Sequence, residues 1–332
     1  MKYLFKVGVF LYKKHGVCPE RADPELMQTT EILDNSIFTG MKYTDNQVKE
    51  ILNTIILTIY DENPILLLNL WDNKGEKNYI GFLHAQYENI LLDFNKIFPD
   101  NNIPRRVLEI SSFLGVVDIA LAKIGFDVYT YDIPEFQENS NLNRLYEEFN
   151  VHPSSGHVKD IWKTGLPYPD NHFDAVILSE VLEHLNFNPL PVLQEINRIM
   201  KTDGILYITT PNQANMINRI KIMAGHSIRN SIYDSVIQLD PARNTICGIH
   251  WREYTLQELI QLLETTGFSL STSRYTLMTQ KNTPLSVIRI FYKAICTILP
   301  SLGDSIAVIA KKREFKPMNF WFHEEYIKYI KM

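Results

Sequence analysis

Acidic residues close four of the predicted strands in this sequence. The first strand carries Glu109, the second ends at Asp132, the third at Asp160 and the fourth at Ser179–Glu180. A single terminal aspartate is usually a turn or helix-capping residue. Four acids at one sheet edge are harder to explain that way, because clustered carboxylates repel one another unless a ligand brings positive charge or hydroxyl donors. The pattern therefore predicts a ligand site at this edge.

These acids are positioned by an alternation of strands and helices that begins at residue 105. Seven short runs rich in β-branched residues predict strands at 106–110, 127–133, 156–161, 173–180, 205–211, 268–278 and 304–312. Helical patterns between the first five strands lie at 117–125, 141–150 and 191–201. Strands joined by crossover helices form a sheet covered on both faces, and such sheets bind ligands at the carboxyl ends of their strands. We therefore predict an α/β fold with a doubly wound, seven-stranded sheet.

The residues before this sheet predict a helical extension. Thr44 and Gln47 have capping-box spacing at the start of one helical pattern, and a second pattern follows from Tyr79. Another capping box, at Thr255 and Glu258, starts a helix late in the sheet region. The predicted parts are a helical extension at 1–104, an α/β domain at 105–314 with an insertion at 212–250, and an aromatic tail at 315–332.

The composition narrows the class of protein. The chain has 332 residues, is 45% apolar and carries a formal net charge of −5, which argues against wrapping nucleic acid. Cys18, Cys247 and Cys296 lie far apart, which favours a reducing, cytoplasmic compartment. Lys6 interrupts the apolar N-terminal stretch, so we interpret that stretch as an amphipathic element rather than a signal peptide. No uncharged apolar run approaches the length of about 18 residues that a membrane span needs.

Several segments together resemble the class I S-adenosylmethionine-dependent methyltransferases. They are RVLEISSFLG, VYTYDI, VKDI, LPYPDNHFDAVILSEVLEHL, GILYITTPN and HWREYTLQELIQLLETTGF. The resemblance covers about residues 105–280 and is closest to the members that methylate small molecules, quinone precursors and glycans. It implies a Rossmann-like sheet whose last strand is antiparallel, with S-adenosylmethionine as the cofactor.

The resemblance also implies roles for individual residues. Glu109 would face the methionine amine through the loop with Ser111, and Gly115 would allow close approach to the cofactor. Asp132 would take the ribose hydroxyls. Further contacts would come from Ile133 on the adenine, from Asp160 and Ile161 at the adenine edge, and from Ser179 and Glu180 along the methionine moiety.

The loop departs from the family pattern at two positions. Ser111 and Phe113 stand where the family usually has glycine, which predicts a reshaped loop or one that closes over the cofactor. The same departure disfavours a dinucleotide such as NAD, because its pyrophosphate needs those glycines. A non-catalytic member that binds the cofactor within a biosynthetic complex stays as an alternative.

Two histidines are the candidate bases for removing a proton from an acceptor hydroxyl. His184 follows the fourth strand by about one helical turn, and His250 lies where the insertion rejoins the sheet; we rank His184 slightly higher. Arg252 could bind an anionic group or pair with a nearby acid. No group of residues in the sequence identifies a metal site.

The segments outside the common fold are expected to choose the acceptor. The insertion contains Arg219, Lys221, Arg229 and Arg243, enough positive charge to receive a phosphate or uronate. These features favour O-methylation of a sugar hydroxyl in a glycan or in a nucleotide- or lipid-linked saccharide, with a quinone-like or other small aromatic acceptor as the alternative. The largely apolar segment 284–302 either packs on the protein or lies on a membrane surface.

Overall fold

The protein forms a seven-stranded sheet with helices on both faces. The computed structural model describes residues 43–59, 75–99, 103–237, 249–277 and 287–313, all within one compact unit, Thr39–Met332. The strands are β1 (Arg106–Ile110), β2 (Asp127–Asp132), β3 (His152–Ser155), β4 (Phe173–Ser179), β5 (Met200–Pro211), β6 (Phe268–Thr276) and β7 (Ser305–Lys312). Their order across the sheet is β3-β2-β1-β4-β5-β7-β6. β7 runs antiparallel to both its neighbours and the other pairs are parallel, as predicted.

The helices of the described residues include the two that the capping boxes predict. They are α1 (Asp45–Leu57), α2 (Gly75–Ile97), α3 (Val116–Lys123), α4 (Pro134–Gln137), α5 (Ser140–Glu148), α6 (Ile161–Thr164), α7 (Leu190–Ile199), α8 (Met216–Met223), α9 (Ile232–Ile237), α10 (Leu256–Thr265) and α11 (Val287–Ile298). Both capping boxes, at Thr44 and Thr255, are present. Gly267, just after α10, has φ 84°, a left-handed conformation that glycine adopts without strain. The three predicted crossover helices correspond to α3, α5 and α7.

The prediction of the third strand was wrong. The predicted strand 156–161 is instead a 3-10 turn at Val158–Asp160 that leads into α6. The strand itself, β3, comes just before it and pairs Ser155 with Asp132 of β2. Pro153 cannot donate a ladder hydrogen bond and is tolerated because β3 is an edge strand. Pairing with β2, rather than local β propensity, therefore decides where this strand lies.

The two faces of the sheet have separate cores. On one face, α1 and α2 supply Leu52, Ile90 and Phe94, all fully buried, to the core. On the other face, α7 and α10 supply Leu193, Ile196 and Leu259 among the buried residues. Helix α2 is thus part of the core that supports the strand ends, although it precedes the alternating region in the sequence.

An ion pair fixes α2 against the far strands of the sheet. Asp93 of α2 accepts hydrogen bonds from Tyr207 Oη of β5 at 2.7 Å and from Arg274 Nη1 of β6 at 3.0 Å. The Asp93 carboxylate is mostly buried, so the bidentate guanidinium contact compensates much of its desolvation. These contacts set the position of α2 relative to β5 and β6.

Helix α11 exposes much of its apolar surface. Ile290, Phe291, Ile298 and Leu299 in or next to α11 are each more than half exposed, whereas Cys296 is buried. In the described ranges no helix combines the length and the apolarity that crossing a bilayer requires. The N-terminal stretch before residue 43, Arg243 of the insertion and the aromatic tail lie outside the described residues.

Candidate active site

Asp132 lies at the carboxyl end of β2 and is held by two backbone amides. Phe113 N donates to one carboxylate oxygen and Ile133 N to the other, each at 2.7 Å. Burial raises the pKa of Asp132 to about 6, although the two amide hydrogen bonds lower it. A carboxylate offers about four lone-pair sites, so each oxygen can accept one further hydrogen bond. A pair of neighbouring hydroxyls is a ligand that fits this arrangement.

The loop after β1 keeps three left-handed positions although only one residue there is glycine. Ser111 has φ 63°, Phe113 φ 52° and Gly115 φ 69°. The left-handed region is unfavourable for residues with a Cβ, and held strain of this kind tends to occur at ligand sites. The loop therefore has left-handed backbone at the positions where the family usually places glycine, and the two substitutions change its side chains.

The Phe113 side chain connects the loop to two neighbouring segments. Its ring makes edge contacts with Phe136 of α4 at 5.2 Å and with Tyr79 of α2 at 5.3 Å between centroids. The aromatic packing compensates part of the backbone strain at Phe113. It also joins α2 to the loop.

Glu109 and Asp118 form a buried acidic pair beneath the loop. Burial raises the pKa of Glu109 well above its ordinary value, and the neighbouring Asp118 raises it further. Burial also raises the pKa of Asp118 to about 7. Tyr146 Oη donates to Asp118 at 3.3 Å, whereas Glu109 Oε2 has no hydrogen-bond partner among the described residues. A positively charged ligand near this pair would lower both pKa values.

The residues predicted to contact the adenine differ in how far their side chains are exposed. Ile133 caps α4 and Asp160 ends the 3-10 turn, and both are partly buried. Ile161 is only 1% exposed, because its side chain packs into the core with Val158 and Leu166. Of the pair Asp160 and Ile161, only Asp160 therefore presents its side chain at the surface.

The ends of β4 and β5 are bridged by a residue that sequence reasoning missed. Gln86 of α2 donates through Nε2 to Glu180 Oε1 at 2.9 Å and to Ser179 Oγ at 3.1 Å, and it also bonds Thr209 Oγ1. Glu180 itself has φ 54°, a strained conformation at the strand end. The sequence carried only a weak signal for Gln86, which comes three residues after Leu83 and four before Ile90.

Three side chains beyond β4 converge on one point. Glu183, His184 and His250 each offer a ligand atom, and these atoms lie within 4.8 Å of one another. The two histidine rings are 5.1 Å apart between centroids. Glu183 is fully buried, and burial raises its pKa well above the ordinary value, with the charge of Glu180 raising it further. The cluster combines a buried carboxylate with two imidazoles, which is a set that divalent metal ions bind.

The sequence could not show this cluster because its members are distant in the chain. Glu183 and His184 are adjacent, but His250 comes from the far end of the insertion. Backbone contacts join the two segments, since Trp251 N donates to Glu183 O at 2.7 Å. The structure therefore brings both predicted bases, His184 and His250, to one place.

The insertion side of this cluster is lined by cationic and aromatic residues. A shallow pocket beside His250 is bordered by Arg229, Trp251 and Arg252. Arg252 pairs with Glu258 at 3.1 Å and lies over the Tyr254 ring. The ion pair corresponds to one of the two roles predicted for Arg252, pairing with a nearby acid. Arg229 is exposed, and its guanidinium donates a long hydrogen bond of 3.4 Å to Trp251 O. Of the two arginines that border the pocket, Arg229 makes the weaker contacts with other residues of the protein.

The cofactor implied by the resemblance fits these residues. Asp132 can accept from a ribose diol, and the free N–H groups at the start of α3 follow the left-handed loop. Two buried acceptor atoms, Glu109 Oε2 and Gln86 Oε1, have no partner among the described residues and suit a cationic amine. S-adenosylmethionine carries a diol, a sulfonium and an ammonium group.

Comparisons with known proteins agree with this fit. A model of the methyltransferase domain family matches residues 82–273, which is more than half of the chain. The chain is 27% identical over 146 residues to the ubiquinone biosynthesis O-methyltransferase of Haemophilus ducreyi, covering 43% of this chain and 59% of that protein. It is 24% identical over 170 residues to the enzyme of that name from Actinobacillus pleuropneumoniae, covering 49% and 68%.

A solved S-adenosylmethionine-dependent methyltransferase from Archaeoglobus fulgidus aligns with a TM-score of 0.45 at 17% identity, covering 72% of this chain and all of that one. The chain spans only 59% of the length of the Haemophilus ducreyi enzyme. The substrate and partners of that enzyme are therefore not assigned to this chain. The domain match covers both the loop after β1 and the Glu183–His184–His250 cluster. The chain belongs to the class I S-adenosylmethionine-dependent methyltransferases.

Proposed function

We propose that this protein transfers the methyl group of S-adenosylmethionine to a hydroxyl oxygen of a small-molecule acceptor. The observation that carries the proposal is the Glu183–His184–His250 cluster beside the end of β4. Methyl transfer from a sulfonium is an in-line displacement, so alignment of the two substrates supplies much of the catalysis. A hydroxyl acceptor additionally needs its proton removed, and the cluster provides groups for that step.

Both histidines have an oxygen atom within hydrogen-bond distance of Nδ1. His184 Nδ1 lies 3.0 Å from the carbonyl oxygen of Ile249, and His250 Nδ1 lies 2.9 Å from Glu253 Oε1. Because a carbonyl or carboxylate oxygen can only accept, each Nδ1 must carry the proton. The lone pair is then on Nε2 in both rings, where it can take a proton or bind a metal ion.

The surroundings of the two histidines favour different roles. Burial lowers the pKa of His184 to about 4, and the adjacent His250 lowers it further, so His184 is neutral and a weak base. His250 has Glu253 at Nδ1, which can stabilise the imidazolium once Nε2 has taken a proton. The geometry therefore favours His250 as the base over the ranking from sequence.

The same cluster could instead bind a divalent cation. Glu183 Oε1 has no hydrogen-bond partner among the described residues, and it lies 3.8 Å from His184 Nε2. Thr210 Oγ1 donates to the other Glu183 oxygen at 3.0 Å and so orients the carboxylate. A bound cation would lower the pKa of an acceptor hydroxyl, which achieves the same end as a base.

Two separate observations each support a different class of acceptor. The names of the curated relatives favour an aromatic hydroxyl of a quinone precursor. The pocket beside His250, with Arg229 and Trp251 on its rim, supports a second candidate, a sugar hydroxyl next to an anionic group. In both cases the reacting oxygen would lie near His250.

The test measures methyl incorporation from labelled S-adenosylmethionine into 3,4-dihydroxybenzoate and into UDP-glucose, as probes of the two classes. Replacing the base, His250→Ala, should lower turnover about 10²–10⁴-fold while S-adenosylhomocysteine affinity stays unchanged. His152→Ala, which removes a histidine of the edge strand β3, is the matched control. Loss of turnover on adding EDTA, restored by Mg²⁺, would assign the cluster to a metal ion.

Two results would contradict the proposal. Tight binding of S-adenosylhomocysteine with no methylation of any hydroxyl acceptor would favour a non-catalytic partner. Full activity of His184→Ala and His250→Ala together with indifference to EDTA would remove the cluster from the mechanism.

A further inference from the structure

Gln86 is a buried residue of α2 that reaches the cofactor edge of the sheet from outside the alternating region. It is 6% exposed, and Nε2 contacts Ser179, Glu180 and Thr209 at the ends of β4 and β5. The Glu180 carboxylate is an acceptor when ionised, so the amide nitrogen faces it and the amide oxygen faces the other way. With Nε2 on the Glu180 side, Oε1 lies on the opposite side of the amide group.

The Gln86 amide oxygen lacks a partner among the described residues. Oε1 is buried and accepts no hydrogen bond, although buried carbonyl oxygens are nearly always paired. Leu83 and Ile90, three residues before and four residues after Gln86 in α2, are buried as well, so Gln86 lies on the buried side of the helix. An acceptor held in this way is suited to a donor on a bound ligand.

The strand order indicates which part of the cofactor would lie there. Asp132, at the end of β2, is the candidate for the ribose, and β4 lies two strands away across β1. Two strand spacings amount to about 10 Å, which is comparable to the distance from the ribose hydroxyls to the amino group of S-adenosylmethionine. A cofactor whose ribose is at Asp132 therefore extends its amino-acid end to the region of Ser179 and Gln86.

Helix α2 contacts this region at a second point. Tyr79, two turns before Gln86, packs edge-on against Phe113 in the loop after β1. The helix thus contacts both the loop that follows β1 and the ends of β4 and β5.

We propose that Gln86 Oε1 accepts a hydrogen bond from the ammonium group of the cofactor while Nε2 holds Glu180 and Ser179 in place. The helical segment before β1 then supplies a binding residue for the methionine moiety. The proposal depends on binding of the cofactor that the family uses. It does not depend on which acceptor is methylated.

The test compares two ligands that differ at the amino-acid end. S-adenosylhomocysteine has the ammonium group, whereas 5′-methylthioadenosine has the same adenosine and no amino acid. By calorimetry, Gln86→Leu should weaken S-adenosylhomocysteine binding about 10- to 100-fold, as expected for a lost hydrogen bond to a charged group, and leave methylthioadenosine unchanged.

Gln194→Leu replaces a half-buried glutamine on α7 and is the control for the loss of a helical amide. Equal weakening of both ligands by Gln86→Leu would mean a general structural role and would overturn the proposal. Unchanged S-adenosylhomocysteine binding in Gln86→Leu would overturn it as well. Failure of the unaltered protein to bind S-adenosylhomocysteine would instead remove the cofactor on which the proposal rests, a result distinguishable from the other two.

Discussion

Binding of the adenosine part of the cofactor should depend on pH through Asp132. The carboxylate must be ionised to accept hydrogen bonds from two ribose hydroxyls while it also accepts from Phe113 N and Ile133 N. Burial raises the pKa of this group to about 6. The favourable interaction is therefore complete above pH 7 and is lost as the pH falls through 6.

The size of the effect follows from that pKa. At pH 5 about one tenth of the Asp132 carboxyl groups are ionised, so affinity should be about tenfold lower than at pH 8, or about 1.4 kcal/mol. Asp132→Asn removes the titration and replaces one acceptor oxygen by an amide nitrogen. We expect that variant to bind about 1–3 kcal/mol more weakly at pH 8, with little change between pH 5 and pH 8.

Calorimetry with 5′-methylthioadenosine at pH 5, 6, 7 and 8 makes this measurement. The ligand lacks the amino-acid end, so titration of the Glu109–Asp118 pair has less influence on it. Glu147→Gln changes an exposed acid of α5 and serves as the control. An unaltered protein whose affinity is constant from pH 5 to pH 8, or an Asp132→Asn variant that binds normally, would refute the assignment of the ribose to Asp132.

Three further predictions concern stability and surface. Asp93→Asn should lower the free energy of unfolding by about 1–3 kcal/mol in a urea titration, because Arg274 and Tyr207 lose their charged partner; an unchanged midpoint would contradict this. Ser111→Gly should raise stability by up to about 1 kcal/mol in the same assay, because φ 63° then costs less, whereas Ser111→Ala keeps the strain and should give no gain. The exposed apolar side of α11 should bind anionic vesicles at low salt in a flotation assay, and Phe291→Asp should abolish it; no flotation of the unaltered protein would exclude a membrane role for this helix.

Local signals were enough to predict most of the elements. The capping boxes at Thr44 and Thr255 and the stop at Gly267 depend only on residues a few positions apart, so the sequence specifies them directly. The acids at the ends of β1, β2 and β4 were predictable for a related reason, since parallel strands place their carboxyl ends at one edge.

Pairing and packing decided the features that the sequence left open. The short edge strand β3 is set by its ladder with β2, because Pro153 and the serines beside it carry little strand preference of their own. The loop after β1 shows the same dependence. Serine and phenylalanine disfavour left-handed backbone at positions 111 and 113. The hydrogen bond from Phe113 N to Asp132 and the aromatic contacts of the Phe113 ring nevertheless hold the loop in that conformation.

The chemistry of the site was the least predictable part. His184 and His250 were recognisable as residue types, but their shared orientation depends on Ile249 O and Glu253, which only the fold brings into contact with them. Gln86 has no distinguishing neighbour in the sequence and becomes a site residue because α2 packs across the ends of β4 and β5. Sequence determines which elements form, through interactions between near neighbours, whereas contacts between residues far apart in the chain determine which side chains share a site.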